Sequence, residues 1–203
     1  MLQYKEANMA APVKINFKVY QGSTFRETLR WESATKGYLN ITNITKTAPA
    51  VVTVSGTHEI PVGWRAKIVG VSGMKEINSD EYRTVTQTTS STITFNEINA
   101  ANYTQYTSGG IVEYNVPVPL TQYTARMQLR PNISSSTILA TLTTENGGIL
   151  ISTSTNTITL VISAVDTAAF TWQTCVYGLE LVKGAEVLPF ATGSLTLVPE
   201  VTR

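Results

Sequence analysis

Threonine fills 32 of the 203 positions, about one in six, and this limits the possible folds more than any motif does. Its branched Cβ stiffens χ1, disfavours helix and suits the water-facing side of a pleated strand. Lys, Glu and Leu nowhere recur at helical spacing over a long window. The chain is therefore read as all-β. Its 15 basic and 14 acidic side chains nearly cancel. Nucleic-acid partners normally leave a basic excess, so none is expected. Charged residues make up only 14% against 42% hydrophobic, which suits either a surface covered by other subunits or a chain simply rich in neutral polar residues. No run approaches the roughly 18 apolar residues a membrane helix needs, and no membrane partner is expected. A single cysteine, Cys175, rules out a disulfide within the chain.

Residues 1–11 read as a flexible N-terminal arm. Lys14–Tyr20 alternates Ile15, Phe17 and Val19 with polar residues, the period-2 signature of a half-buried strand. A second strand spans Thr24–Trp31, anchored by Phe25, Leu29 and Trp31, and a polar break follows at Ser33–Gly37. From there to Tyr114 come five or six very short strands punctuated by Gly and Asn, a texture that suits a small closed barrel. Pro117-Val-Pro119 marks a second boundary, because Pro is excluded from central strands. Longer strands then return. Tyr123–Arg130 turns Tyr123, Ala125, Met127 and Leu129 inward, Asn146-Gly-Gly148 signals a hairpin, and 176–197 forms an edge hairpin turning at Lys183-Gly184. The one helix expected starts at Ser163, with Asp166 three residues on as in a cap.

Two strands over 12–33 cannot bury their apolar faces alone. Joined to the C-terminal strands they would make a sandwich of immunoglobulin-like size. The expected organisation is a discontinuous immunoglobulin-like β-sandwich of residues 12–35 and 116–203, with a small β-barrel inserted over 36–115. A tandem of two domains is the alternative.

Candidate chemistry is sparse. His58 is the only histidine and lies in a Gly-Thr-His-Glu turn, so any Ser–His or Cys–His nucleophile would depend on it. Asp80 and Glu81 are adjacent, so on a strand they face opposite ways. No enzyme activity, cofactor or metal site is expected. The best candidates for an interface or glycan contact are Tyr103 and Tyr106, in the polar loop 99–107. Tyr20, Trp31, Tyr123, Trp172 and Tyr177 are expected to pack inside the sandwich.

Several segments resemble known proteins. Tyr20-Gln-Gly-Ser-Thr-Phe-Arg-Glu-Thr-Leu-Arg-Trp31, Tyr123–Arg130, Ala164–Trp172, Val176–Leu181 and the ending Leu197–Arg203 are similar to a phage and prophage family of virion structural proteins. The implied fold is the immunoglobulin-like module at the fibre-anchoring end of baseplate proteins of the BppU type. Ile44–Thr53, Ile68–Met74 and Tyr106–Gly110 resemble a β-barrel module of phage proteins labelled after the first catalytic-cysteine half-domain of ubiquitin-activating enzymes. This segment has no cysteine, so no thioester chemistry carries over. The resemblance implies a non-enzymatic virion protein made in the host bacterial cytoplasm. It would be a tail, baseplate or neck adaptor or a fibre-anchoring subunit, a homo-oligomer whose partners are other virion proteins. A capsid decoration or head-fibre protein, or a host-surface carbohydrate-binding module, are the alternatives.

Overall fold

The computed structural model describes residues 11–200. The arm expected over 1–11 lies outside that range except for Ala11, which is exposed coil. The strands, in chain order, begin with β1 (Val13–Lys14), β2 (Phe17–Tyr20), β3 (Phe25–Arg30), β4 (Glu32–Ile44), β5 (Ala50–Val54) and β6 (Arg65–Ser72). A single 3₁₀ turn (Lys75–Ile77) precedes β7 (Arg83–Thr84), β8 (Gln87–Thr88), β9 (Thr92–Phe95) and β10 (Ser108–Pro117). Then come β11 (Thr124–Arg130), β12 (Ala140–Thr143), β13 (Ile149–Ser152), β14 (Thr157–Ile162), helix α1 (Ala164–Ala168), β15 (Thr174–Lys183) and β16 (Glu186–Val198). The fold is all-β, as the threonine content predicts.

The chain divides into two compact units. One comprises residues up to Leu29, Leu120–Ser152 and Thr157 onward; the other comprises Arg30–Pro119 with Thr153–Asn156. The middle unit thus begins and ends outside the 36–115 expected. The polar break at Ser33–Gly37 is not a break: β4 runs straight through it. Gly37 lies under Tyr114, whose ring a Cβ would overlap, and Lys36 points outward to hydrogen-bond Asn115 and Tyr82. A polar stretch ending in glycine is read as a turn from sequence and works as a strand here.

The discontinuous unit has two sheets. The larger is ordered β1-β16-β15-β11-β12, with β2 also on β16; the smaller is β13-β14-β3. Strand β11 buries Ala125, Met127 and Leu129 at 2% exposure or less, as its alternation predicts. Phe17 of the larger sheet meets Phe25 of the smaller edge to face, with centroids 5.7 Å apart, so the two sheets share a core. Each such side chain contributes about 1.5–3 kcal/mol when fully buried. The strand expected over 14–20 is cut in two at Ile15-Asn16. The Asn16 amide oxygen accepts from both the N–H and the hydroxyl of Ser194, and Gly193 leaves room for the Ile15 carbonyl. Both halves pair with β16 in parallel. Asn146-Gly147 is not a hairpin turn: it carries the chain from β12 in one sheet to β13 in the other. The hairpin of β15 and β16 does form, but both strands are interior to the larger sheet rather than at its edge. Helix α1 is capped as expected, the Ser163 Oγ accepting from the Asp166 N–H at 3.1 Å. Tyr20 is 58% exposed, against expectation, because Phe17 and Val19 take the inward positions of β2.

The middle unit is one seven-stranded sheet, β7-β6-β10-β4-β5-β9-β8. Its end strands are consecutive in the chain, separated only by Val85-Thr86. Their stretch pairs with β6 on one side and β9 on the other, which curls the sheet toward itself as a barrel-like element. Inside lie Trp64, Phe95, Ile44, Met74 and Ile93, all essentially inaccessible. The Trp64 indole N–H donates to the Asn115 carbonyl at 2.7 Å.

Candidate interaction faces

The two tyrosines singled out by sequence, Tyr103 and Tyr106, lie half-buried against the apolar core of the middle unit. The Tyr106 hydroxyl donates to the Ile41 and Gly109 carbonyls at 3.1 and 3.0 Å. Their loop is fastened down. Thr104 gives its N–H and its hydroxyl to Glu76, and Gly73 has no side chain because the loop passes directly over it at Gln105. The Glu76 carboxyl is held below its ordinary range by backbone and Thr104 hydrogen bonds. Both rings therefore pack partly against the core, and Tyr106 is held there by its hydroxyl.

His58 closes its own turn: Nδ1 accepts from the Ile60 N–H and Nε2 lies 3.2 Å from the Thr92 carbonyl. Cys175 is buried in β15 at 2% exposure, where desolvation pushes the thiol up to about 11. A thiol so placed stays protonated near neutrality, and only the thiolate is a good nucleophile. Among the described residues no three His, Cys, Asp or Glu side chains gather as metal ligands would. No helix among them is long and apolar enough to cross a membrane.

Two surfaces not anticipated from sequence stand out. On the outer face of β4, β10 and β6, Tyr82 is approached by three cations: Lys36 at 4.7 Å, Lys67 at 5.6 Å and Arg65 at 5.9 Å from its ring centre. Its hydroxyl donates to Glu113 at 2.7 Å. This bond, with help from Lys67 and Lys36, holds the Glu113 carboxyl below its ordinary range. Glu113 is shared by Lys36 and Lys67, and Glu32 by Arg30 and Arg65. The cluster laces four strand segments together and its charges are largely committed to one another.

The second surface is a trough of about 1120 Å³ on the outer face of the larger sheet. Register defines its central row. Thr141 on β12 opposes Gln128 on β11, which opposes Gly178 on β15, then Thr192 on β16 and Lys14 on β1. At about 4.8 Å per strand the row is roughly 19 Å long. Arg126 and Glu180 pair at 2.7 Å on one side of it. On the other, Arg130 lies flat, donating to Gln128 Oε1 and the Ser135 carbonyl at 2.8 and 2.7 Å. Ile133 stands on the rim, 92% exposed. The outward polar set Arg126, Gln128, Arg130 was readable from alternation. Its union with Lys14, more than 110 positions earlier, was not.

No family model matches the chain, and no curated protein matches it either.

Proposed function

We propose that the chain is a non-enzymatic structural subunit of a bacteriophage particle, an adaptor or fibre-anchoring part of the tail, baseplate or neck, working through surfaces it offers to neighbouring subunits. The trough carries this reading. It is a five-strand sheet face with polar flanks and an exposed isoleucine at its lip, and among the described residues no strand or helix of its own unit lies across it. Broad faces that set an exposed apolar residue beside polar and charged ones are what protein partners cover. The curled middle unit, with its loops fastened, supplies a stiff spacer or second contact. The sequence resemblance to virion proteins points the same way.

The test is the composition of purified particles. The chain should occur there at a fixed copy number, and particles made without it should lack a neighbouring tail, neck or fibre component. Complete, infective particles from a gene deletion would overturn the proposal. Loss of adsorption to host glycans with assembly intact would favour the carbohydrate-binding alternative instead.

A further inference from the structure

Among the described residues, none accounts for glycine at Gly178. It sits in the middle of β15, an interior strand, where glycine weakens a sheet through lost entropy and lost packing. It does not have a left-handed φ, and a Cβ built on it meets no atom of the described residues within 4 Å. Other glycines of the chain are accounted for: Gly193 and Gly73 by backbone that passes close, Gly184 by its turn at φ +60°. At Gly178 the missing side chain instead opens a notch at the centre of the trough, midway along the Thr141–Lys14 row.

We infer that this notch receives an apolar side chain from an extended, acidic segment of a partner protein lying in the trough. The inference rests on the reading of the chain as an assembly part and specifies its partner's chemistry. Charge argues for the acid: Lys14, Arg126 and Arg130 face one carboxylate, Glu180, among the trough's lining residues. The apolar anchor is argued by Val176, beside the notch, and by Ile133 on the rim. A polypeptide is favoured over a glycan because the aromatic residue of the lining, Tyr177, is 3% exposed and gives its hydroxyl to the Ile15 carbonyl. No ring there is open for a sugar to stack on.

The probe is a fluorescein-labelled pentapeptide with a central leucine flanked by two aspartates on each side. It is titrated into the full-length chain by fluorescence anisotropy, with amide shifts followed by nuclear magnetic resonance. Saturable binding is expected, weakened by salt, with shifts at Gly178, Gln128 and Thr192. Gly178→Trp, which fills the notch, and Arg130→Glu should each weaken it at least tenfold. Gly178→Val should keep a urea midpoint equal to or above wild type, because no described residue needs the glycine. The inference is overturned by any of four results: no binding at millimolar peptide, equal binding by a lysine-for-aspartate peptide, oligogalacturonate bound in its place, or a Gly178→Val midpoint well below wild type. Absence of the chain from purified particles would sink the assembly reading while leaving these titrations to stand or fall separately.

Discussion

Replacing Trp64 by Phe should destabilise the middle unit by about 2–4 kcal/mol, most of it through one hydrogen bond. Trp64 is wholly buried, and its indole N–H donates to the Asn115 carbonyl at 2.7 Å. That carbonyl lies where the β10–β4 register slips between Asn115 and Pro117, and Pro117 has no N–H to offer the ladder. Phe retains most of the apolar burial but removes the donor. An unsatisfied buried acceptor costs about 1–3 kcal/mol, and the space left by the smaller ring adds roughly 24 cal/mol per Å³. Trp64→Ala enlarges the cavity and should cost more, since aromatic-to-alanine changes in cores run about 3–5 kcal/mol. Urea unfolding followed by far-ultraviolet circular dichroism reads both. With a slope of about 2 kcal/mol per molar, the Phe variant should shift the midpoint of its transition by about 1–2 M. A Phe variant within about 0.2 M of wild type would show that the indole bond and the tight fit around it contribute nothing, and the account of this core would be wrong.

Alkaline pH should destabilise the discontinuous unit through Cys175. Burial raises its thiol from 9.0 to about 11, so the unfolded chain releases this proton first. The stabilisation is complete below pH 9 and lost as pH rises to about 11, on the order of 2–3 kcal/mol at about 1.4 kcal/mol per pH unit. Cys175→Val should flatten the decline of the urea midpoint over that window, and an unchanged profile would contradict it. The Asn146 side chain accepts from the Thr143 and Gly148 N–H groups and donates to the Thr141 carbonyl at 2.8–2.9 Å. Asn146→Ala should therefore cost about 1–2 kcal/mol, with Asn146→Asp recovering part because the acceptor survives; thermal melts of the two variants would separate them. Ser163→Ala should cost about 1 kcal/mol by uncapping α1, and a melting temperature equal to wild type would show the cap is dispensable.

The strands that could be read in advance are those whose pattern is local. Tyr123–Arg130 alternates along its own length, and β11 buries every second residue accordingly. Ser163 and Asp166 are close enough in sequence for the cap to be visible. The misreadings share the opposite property. Residues 14–20 split because the Ile15 and Asn16 backbone meets Gly193 and Ser194 across nearly the whole chain. Ser33–Gly37 reads as a turn until Tyr114 is known to lie over Gly37. That the loop of Tyr103 and Tyr106 is drawn onto the core by Glu76, Gly73 and Ile41 likewise rests on residues distant in sequence.

Composition, period-2 patterning and the Ser163–Asp166 spacing alone determined that this chain is all-β, where a short helix is capped, and which faces of its strands are apolar. Strand order was decided only in three dimensions: which hairpin is interior, where β1 and β2 join β16, and how one short stretch curls the middle sheet toward itself. Alternation is set by the backbone's own pleat and needs no partner. Pairing depends on residues a hundred or more positions away, and so does the trough around Gly178, whose row draws one residue from each of five strands.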